Sequence, residues 1–273
     1  MIPLEARPPH PRRVCAPDVT VVVVHHRTPR LLEQCLAHLQ ACPPRARLET
    51  LVVDNASPDR QVAPAAARFG QVRFHRNARN LGFAAACNQG LRLGQGRSCL
   101  LLNPDVRIDG PAIDGLVELL DRHPEAGVAA PRLTHLDGSL QFSCRRFPSL
   151  RAVLLRGLHL RRLAPGAVDR YLMADWDHAT YRAVDWVIGA CVLVRRAAVE
   201  AVGGFDEGFF LYYEDVDLCF RLGQAGWTVL YDPRLTVSHA HRRESAALLP
   251  RRQTLEHLRS LVRLFRKHRF PVW

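Results

Sequence analysis

Residues 19–24 form an unbroken β-branched run, VTVVVV, followed by a helical apolar pattern at Leu31, Leu32, Cys35, Leu36 and Leu39 and by a second apolar run at 51–53. A strand apolar at every position needs both faces covered, and the intervening helix supplies one of the covers. The second run halts at Asp54-Asn55-Ala56-Ser57-Pro58, a turn-forming sequence. The three segments predict a βαβ unit. Further short strands at 72–74 and 99–102 alternate with helical stretches at 84–93 and 113–122. That rhythm predicts an α/β fold, a Rossmann-like and mostly parallel sheet flanked by helices.

Beyond residue 135 the pattern is less regular. Residues 141–185 mix Arg, Pro and short apolar clusters, and then come a buried run at 186–194, a helix at 196–202, a Gly203-Gly204 turn, a helix at 216–224 ended by Gly226, and strands near 229–231 and 235–237. The expected organisation is a flexible Pro/Arg-rich start at 1–17, one domain over 18–245, and a basic amphipathic helix at 246–273. The domain divides by pattern into a ligand-binding half at 18–135 and an acceptor-side elaboration at 136–245.

The chain has 273 residues, 48% of them hydrophobic, which is ample for a core. Its 38 Lys plus Arg against 26 Asp plus Glu give a net charge of +12, suited to a polyanionic partner: nucleic acid, an anionic membrane surface or phosphorylated substrates. The eight cysteines are scattered with no CxxC pair, so they read as reduced core residues of a cytoplasmic protein. No apolar stretch approaches the roughly 20 residues that span a bilayer, and the first eighteen residues lack a signal-peptide core. Leu255, Leu258, Leu261, Val262, Leu264 and Phe265 make a helical apolar stripe beside Arg259, Arg263, Arg266, Lys267 and Arg269. Such a helix either packs on the core or touches the inner face of the cell membrane.

Ligands of a parallel sheet bind at the carboxyl ends of its strands, marked here by Asp54, by residues 75–82 and by Asn103-Pro104-Asp105. Asp54 suits a ribose or base contact and equally a turn. Asn80-Leu81-Gly82 precedes the small-residue helix start Ala84, Ala85, Ala86, where a ligand can approach the backbone closely. Asp105 could hold a divalent cation bridging two phosphates, with His239 as a candidate further ligand. In FLYYEDVDLCFRL, residues 210–222, three carboxylates (Glu214, Asp215, Asp217) interrupt an apolar setting. Desolvation there raises a carboxylate pKa, as a general base requires, while acids at a helix N-terminus also complement its dipole.

Seven segments in order resemble family 2 glycosyltransferases of the GT-A fold, especially the rhamnosyltransferase-like branch: VTVVVVHHRTPRLLEQCL, LVVDNASPD, RNLGFAAACNQGL, LLNPDV, VDWVIGACVLVRR, GGFDEGFFLYYEDVDLCFRLGQAGW and VSHAHRRES. The resemblance implies a sugar transferred with inversion from a nucleoside-diphosphate donor (dTDP or UDP type, rhamnose first) to a glycan or lipid-linked acceptor in cell-envelope polysaccharide synthesis. By the same resemblance Asp54, Asn80, Gly82, Asp105 and Thr28 bind the nucleotide sugar, and Asp105 and His239 hold Mg2+ or Mn2+. Asp215, with Glu214 beside it, supplies the catalytic base, and Trp186 and Gly189 line the acceptor side. His239 is preferred to His241 because it directly follows a strand. Where the family has an Asn-Tyr-Asn-like stretch this chain has His25-His26-Arg27, and Asn103 replaces the first acid of the DxD-like motif. Two other classes stand beside this reading: a non-catalytic nucleotide-sugar or polyanion-binding module, and a metal-dependent nucleotidyltransferase. No stacking-aromatic or recognition-helix pattern indicates nucleic acid, and no Gly-rich phosphate loop followed by Lys lies near the first strand.

Overall fold

The computed structural model describes residues 16–157, 162, 164–240 and 251–270. His241, Ser245, Cys15 and most of the Pro/Arg-rich start lie outside the described residues.

The chain runs β1 (Val19–His25), α1 (Pro29–Ala41), β2 (Leu48–Asp54), α2 (Asp59–Arg68), β3 (Arg73–Arg76), α3 (Phe83–Leu93), β4 (Ser98–Leu102), β5 (Val106–Arg107), α4 (Gly110–Arg122) and β6 (Ala126–Thr134). It continues with β7 (Cys144–Arg145), α5 (Leu150–Gly157), α6 (Pro165–Leu172), β8 (Arg182–Val184), β9 (Trp186–Val187), β10 (Cys191–Arg195), α7 (Arg196–Ala201), α8 (Glu214–Gln224), β11 (Thr228–His239) and α9 (Arg251–His268). The main sheet is ordered β3-β2-β1-β4-β10-β6-β11-β5, with β8 also on β11. Strands β3, β2, β1 and β4 are mutually parallel, β10 runs against both β4 and β6, and β6 is parallel to β11. Six strands thus share one direction; β10 is reversed in their midst, and the short β5 and β8 run against β11.

Alternation explains why these runs had to be covered twice. In β1, Val19, Val21 and Val23 pack with Leu32 and Leu36 of α1 and Ile113 and Leu116 of α4. Val22 points the other way, into the cluster of α3, α7, α8 and α9. Strands β4 and β10 repeat the division: Leu100, Leu102, Cys191 and Leu193 face one side, Cys99, Leu101, Val192 and Val194 the other. The described cysteines are all free, as their scatter predicts, and six of the seven are buried.

Two segments differ from the sequence reading. The strands expected near 229–231 and 235–237 are one strand, β11, whose register against β6 slips between Asp232 and Thr236 around Pro233. The run at 186–194 is two strands, β9 and β10, separated by Ile188-Gly189-Ala190. The C-terminal stripe also divides. Leu261 and Leu264 of α9 are buried, whereas Leu255, Leu258 and Val262 remain 46%, 55% and 43% exposed on the opposite side of the helix. No helix among the described residues is long and apolar enough to cross a membrane.

Candidate active site

A cleft of about 330 Å³ opens at the carboxyl ends of β1, β2 and β4, and Val24, His26, Thr28, Asn55, Asn80, Gly82, Asp105 and Phe210 are among the residues that line it. All but Phe210, which comes from the loop between α7 and α8, belong to a strand end or the turn after it, where a parallel sheet leaves backbone groups for a ligand. Asn55 organises the rim. Its side-chain amide donates to Asn80 Oδ1 at 2.9 Å and to the Gly82 carbonyl at 3.0 Å, and its own Oδ1 accepts from the Leu81 N–H at 2.9 Å. His26 Nδ1 lies 2.7 Å from the Asn55 carbonyl, and Thr28 Oγ1 lies 3.0 Å from His25 Nδ1. Gly82 sits at φ 91°, a conformation glycine enters freely, with its Cα pressed on the backbone of Phe210.

Asp54 is placed differently from its neighbours. It is wholly buried, its Oδ1 accepts from the Ser57 N–H at 3.1 Å and its Oδ2 from Arg76 Nε at 3.2 Å. It therefore stabilises the turn beneath the cleft and does not line it. The buried Asn55 and the exposed His26 line the cleft in its place; Asn55 could be suspected only as the residue after a strand-end acid, and His26 only as part of a departing motif.

Asp105 and His239 are brought together by the pairing of β5 with β11, which sets His239 opposite Val106 and ties the Ala240 N–H to the Asp105 carbonyl at 2.9 Å. His239 Nε2 lies 3.3 Å from Asp105 Oδ1, and His239 Nδ1 lies 2.9 Å from Gln141 Oε1. With Gln141 accepting, the proton sits on Nδ1 and the Nε2 lone pair faces the carboxylate, a tautomer assigned from the hydrogen-bond network. Two acceptors so opposed fit a cation between them. Among the described residues no cluster of three or more His, Cys, Asp or Glu surrounds a metal position. A donor's phosphate oxygens and water would complete the shell, as is usual for hard divalent ions. Gln141 gave no signal in the sequence.

The three carboxylates of α8 separate into different roles. Tyr212 and Tyr213, at φ 69° and 66°, turn the chain sharply into the helix. Asp217 is fully buried and is held by Arg221, by Lys267 Nζ at 2.7 Å and by His268 Nε2 at 2.7 Å, so it anchors α9 to α8. Asp215 is partly buried in a separate small cavity that shares Phe83 with the cleft. Its Oδ2 accepts from the Gly189 N–H at 3.2 Å and its Oδ1 from its neighbour Val216 N–H at 2.9 Å. Burial raises its pKa, while the Gly189 and Val216 N–H groups and the Arg145 charge pull it back. Glu214 is buried, its Oε2 has no hydrogen-bond partner among the described residues, and burial together with the Asp215 charge raises its pKa. The acids thus occupy both places the sequence allowed, a helix N-terminus and a desolvated pocket. Trp186 lines neither cavity: it is buried, and its Nε1 donates to the Arg146 carbonyl at 2.9 Å.

A strand-end cleft, an acid–histidine pair beside it and a desolvated carboxylate beyond its wall thus lie on a sheet of the GT-A class. The sequence profile "Glycosyltransferase like family 2" matches residues 17–254, and the chain belongs to that family. It is 34% identical over 272 residues to the N-acetylglucosaminyl-diphospho-decaprenol L-rhamnosyltransferase of Mycobacterium tuberculosis (strain CDC 1551 / Oshkosh), covering 93% of this chain and 85% of the relative. The pre-mycofactocin glycosyltransferase of the same organism is 31% identical over 248 residues, 88% of this chain and 47% of the relative. Among solved structures, the mannosyltransferase PcManGT of Pyrobaculum calidifontis, in complex with GDP-Man and Mn2+, superposes with a TM-score of 0.62 at 18% identity, covering 93% of this chain and 65% of that one. GalNAc-T7 with UDP, GalNAc and Mn2+ gives a TM-score of 0.62 at 16% identity over 84% of this chain and 45% of that one. These two share the GT-A fold. The chain is a family 2 glycosyltransferase, an enzyme of sugar transfer from a nucleotide sugar.

Proposed function

We propose that the protein transfers rhamnose, with inversion, from a dTDP- or UDP-type donor to a sugar hydroxyl of a lipid-linked acceptor in cell-envelope glycan synthesis. The observation that carries this reading is the meeting of Asp105 and His239 at 3.3 Å beside the cleft, with Asp215 across Phe83. Rhamnose and the lipid-linked acceptor rest on the similarity to the mycobacterial rhamnosyltransferase.

In this mechanism His26, Thr28, Asn55 and Asn80 hold the nucleoside, and Gly82 admits it closely to the backbone. Asp105 and His239 would hold Mg2+ or Mn2+, which supplies electrostatic stabilisation of the leaving diphosphate when bound. Asp215 takes the proton of the acceptor hydroxyl as that oxygen attacks the anomeric carbon from the face opposite the leaving group. Its raised pKa makes it a stronger base than an ordinary aspartate. Glu214, buried beside it, keeps that pocket short of water and donors. Asp54 contributes by fixing Arg76 and the 54–57 turn. The outward residues Leu255, Leu258 and Val262, with exposed Arg259 and Arg266 on the same helix, suit peripheral binding at the cytoplasmic face of an anionic membrane, where a lipid-linked acceptor is met.

The test is a thermal-shift panel of nucleoside diphosphates and nucleotide sugars with Mn2+, Mg2+ or chelator, because a ligand bound only by the folded state raises its stability. The expected result is a metal-dependent rise with one nucleotide that Asp105→Ala reduces. An equal rise in chelator removes the metal role, and release of pyrophosphate in place of nucleoside diphosphate during turnover establishes a nucleotidyltransferase.

A further inference from the structure

The loop between α7 and α8, residues 203–213, carries two parts of the site at once. Phe210 and Leu211 line the cleft, and Tyr212 and Tyr213 form the turn that delivers Glu214 and Asp215 to the start of α8. Both tyrosines hold a positive φ, 69° and 66°, which costs a residue with a side chain energy and persists only where the surroundings over-determine it. The loop contains no helix or strand that would impose that turn.

Two helices hold it. From α3, the Phe83 N–H donates to the Phe210 carbonyl at 2.7 Å, while the buried Asn88 accepts from the Phe205 N–H at 2.8 Å and donates to the Phe205 carbonyl at 2.9 Å. From α9, Ser260, which is 3% exposed, donates its hydroxyl to the Leu211 carbonyl at 2.8 Å. The His257 ring packs against both strained tyrosines, with its centroid 5.1 Å from that of Tyr212 and 5.0 Å from that of Tyr213. Arg263 Nη2 donates to Asp206 Oδ1 at 2.8 Å and Lys267 Nζ to Asp206 Oδ2 at 2.7 Å. The Arg263 guanidinium also lies 5.3 Å from the centroid of the buried Phe209 ring, in space that Gly208 leaves open by having no side chain. His257, Ser260, Arg263 and Lys267 recur every three or four residues, so they form one stripe of the helix. The family profile ends at residue 254, and all four lie beyond it.

We propose that α9 belongs to the catalytic apparatus: Ser260, with His257 and Arg263 on either side, is a positioning residue that fixes the 203–213 loop, and through it Phe210 in the cleft and the turn ahead of Asp215. The assignment rests on the donor cleft and the base of the proposed function and deepens that reading. Without the Ser260 hydroxyl the Leu211 carbonyl loses its donor, one peptide away from Tyr212, and the left-handed turn loses a bond that keeps it from relaxing. Phe210 and Asp215 then shift together although neither touches Ser260. Ser260 acts through Leu211 and takes no part in bond making.

The test combines hydrogen exchange, calorimetric titration and thermal unfolding of the full chain, with UDP and dTDP in Mn2+ as the probes. Ser260→Ala is expected to quicken exchange selectively over residues 205–217, to weaken nucleotide binding about three- to tenfold, and to lower Tm by no more than about 5 °C. Ser260→Thr, which keeps the hydroxyl, should restore exchange and affinity. Arg263→Ala, at a side chain 45% exposed, should quicken exchange over the same segment to a smaller extent, and it carries the test if Ser260→Ala does not fold. Wild-type exchange and affinity in both variants would overturn the proposal. Exchange that rises evenly along the chain in step with Tm would also overturn it, because α9 would then be an ordinary packed helix, as would a Ser260→Thr protein that behaves like Ser260→Ala. Failure of the wild type to bind either nucleotide would count against the nucleotide-sugar reading and leave the exchange result to decide the role of α9.

Discussion

Substituting Gly82 by alanine tests how the cleft is built. At φ 91° and ψ 167° an alanine is strained, by about 1–3 kcal/mol. Its Cβ would also lie 2.6 Å from the Phe210 carbonyl oxygen and 2.9 Å from the Phe210 Cα, which are backbone atoms that cannot swing aside. The same carbonyl accepts the Phe83 N–H at 2.7 Å, so moving it forfeits a hydrogen bond worth about 0.5–1.5 kcal/mol. The combined loss is about 2–4 kcal/mol, and for a chain of this size it lowers Tm by roughly 5–15 °C. Phe210 lines the cleft, so nucleotide affinity should fall together with stability. Gly138→Ala is the control: φ is 82° but nothing lies within 4 Å, so strain alone applies and nucleotide binding should be untouched. Differential scanning calorimetry and nucleotide titration read both quantities. A Gly82→Ala protein that melts and binds like the wild type would refute the argument that the close approach of Gly82 to Phe210 shapes the site.

Asp215→Asn should retain donor affinity and lose turnover by about 10²–10⁴-fold, the usual contribution of a general base; steady-state kinetics with unchanged turnover would remove it from that role. Glu214 is held above its unfolded pKa, so the folded chain keeps a proton that the unfolded chain releases, and stability falls as pH rises from the ordinary glutamate range towards the raised value. Glu214→Gln escapes that loss, and its urea stability relative to wild type should climb with pH over that window; a difference constant with pH would show Glu214 to be unperturbed. Leu258→Asp should reduce sedimentation with anionic vesicles while leaving Tm nearly unchanged, since the side chain is 55% exposed. Equal sedimentation would move any membrane contact elsewhere.

The first βαβ unit was legible because periodicity alone required covered strands, and the ends of those strands delimit the observed cleft. Strand β6 was not legible: AGVAAPRLT is rich in Ala and carries Pro131, which removes a ladder donor, yet its buried pairing with β10 and β11 overrides that local weakness. Asp232-Pro233 likewise made β11 read as two strands. In the site, Asp105 and His239 could be named because each follows an apolar run, but their separation depended on the β5–β11 register. Asp215 and Asp217 are two residues apart, and sequence could not say which faces a cavity and which is clamped by Lys267 and His268 from α9.

The reversed strand β10 also bears on how the chain can be made. It lies between β4 and β6, although both precede it in sequence by more than half the length of an ordinary small domain. As the chain is synthesised, β4 and β6 exist before residues 191–195 do, each with an unpaired row of backbone groups facing the other across a gap. Neither can join the other directly, for that would displace the strand still to come. The nascent protein thus passes through a period of open borders: the five residues of β10 close the gap between β4 and β6, and the far edge of β6 stays unpaired until β11 follows.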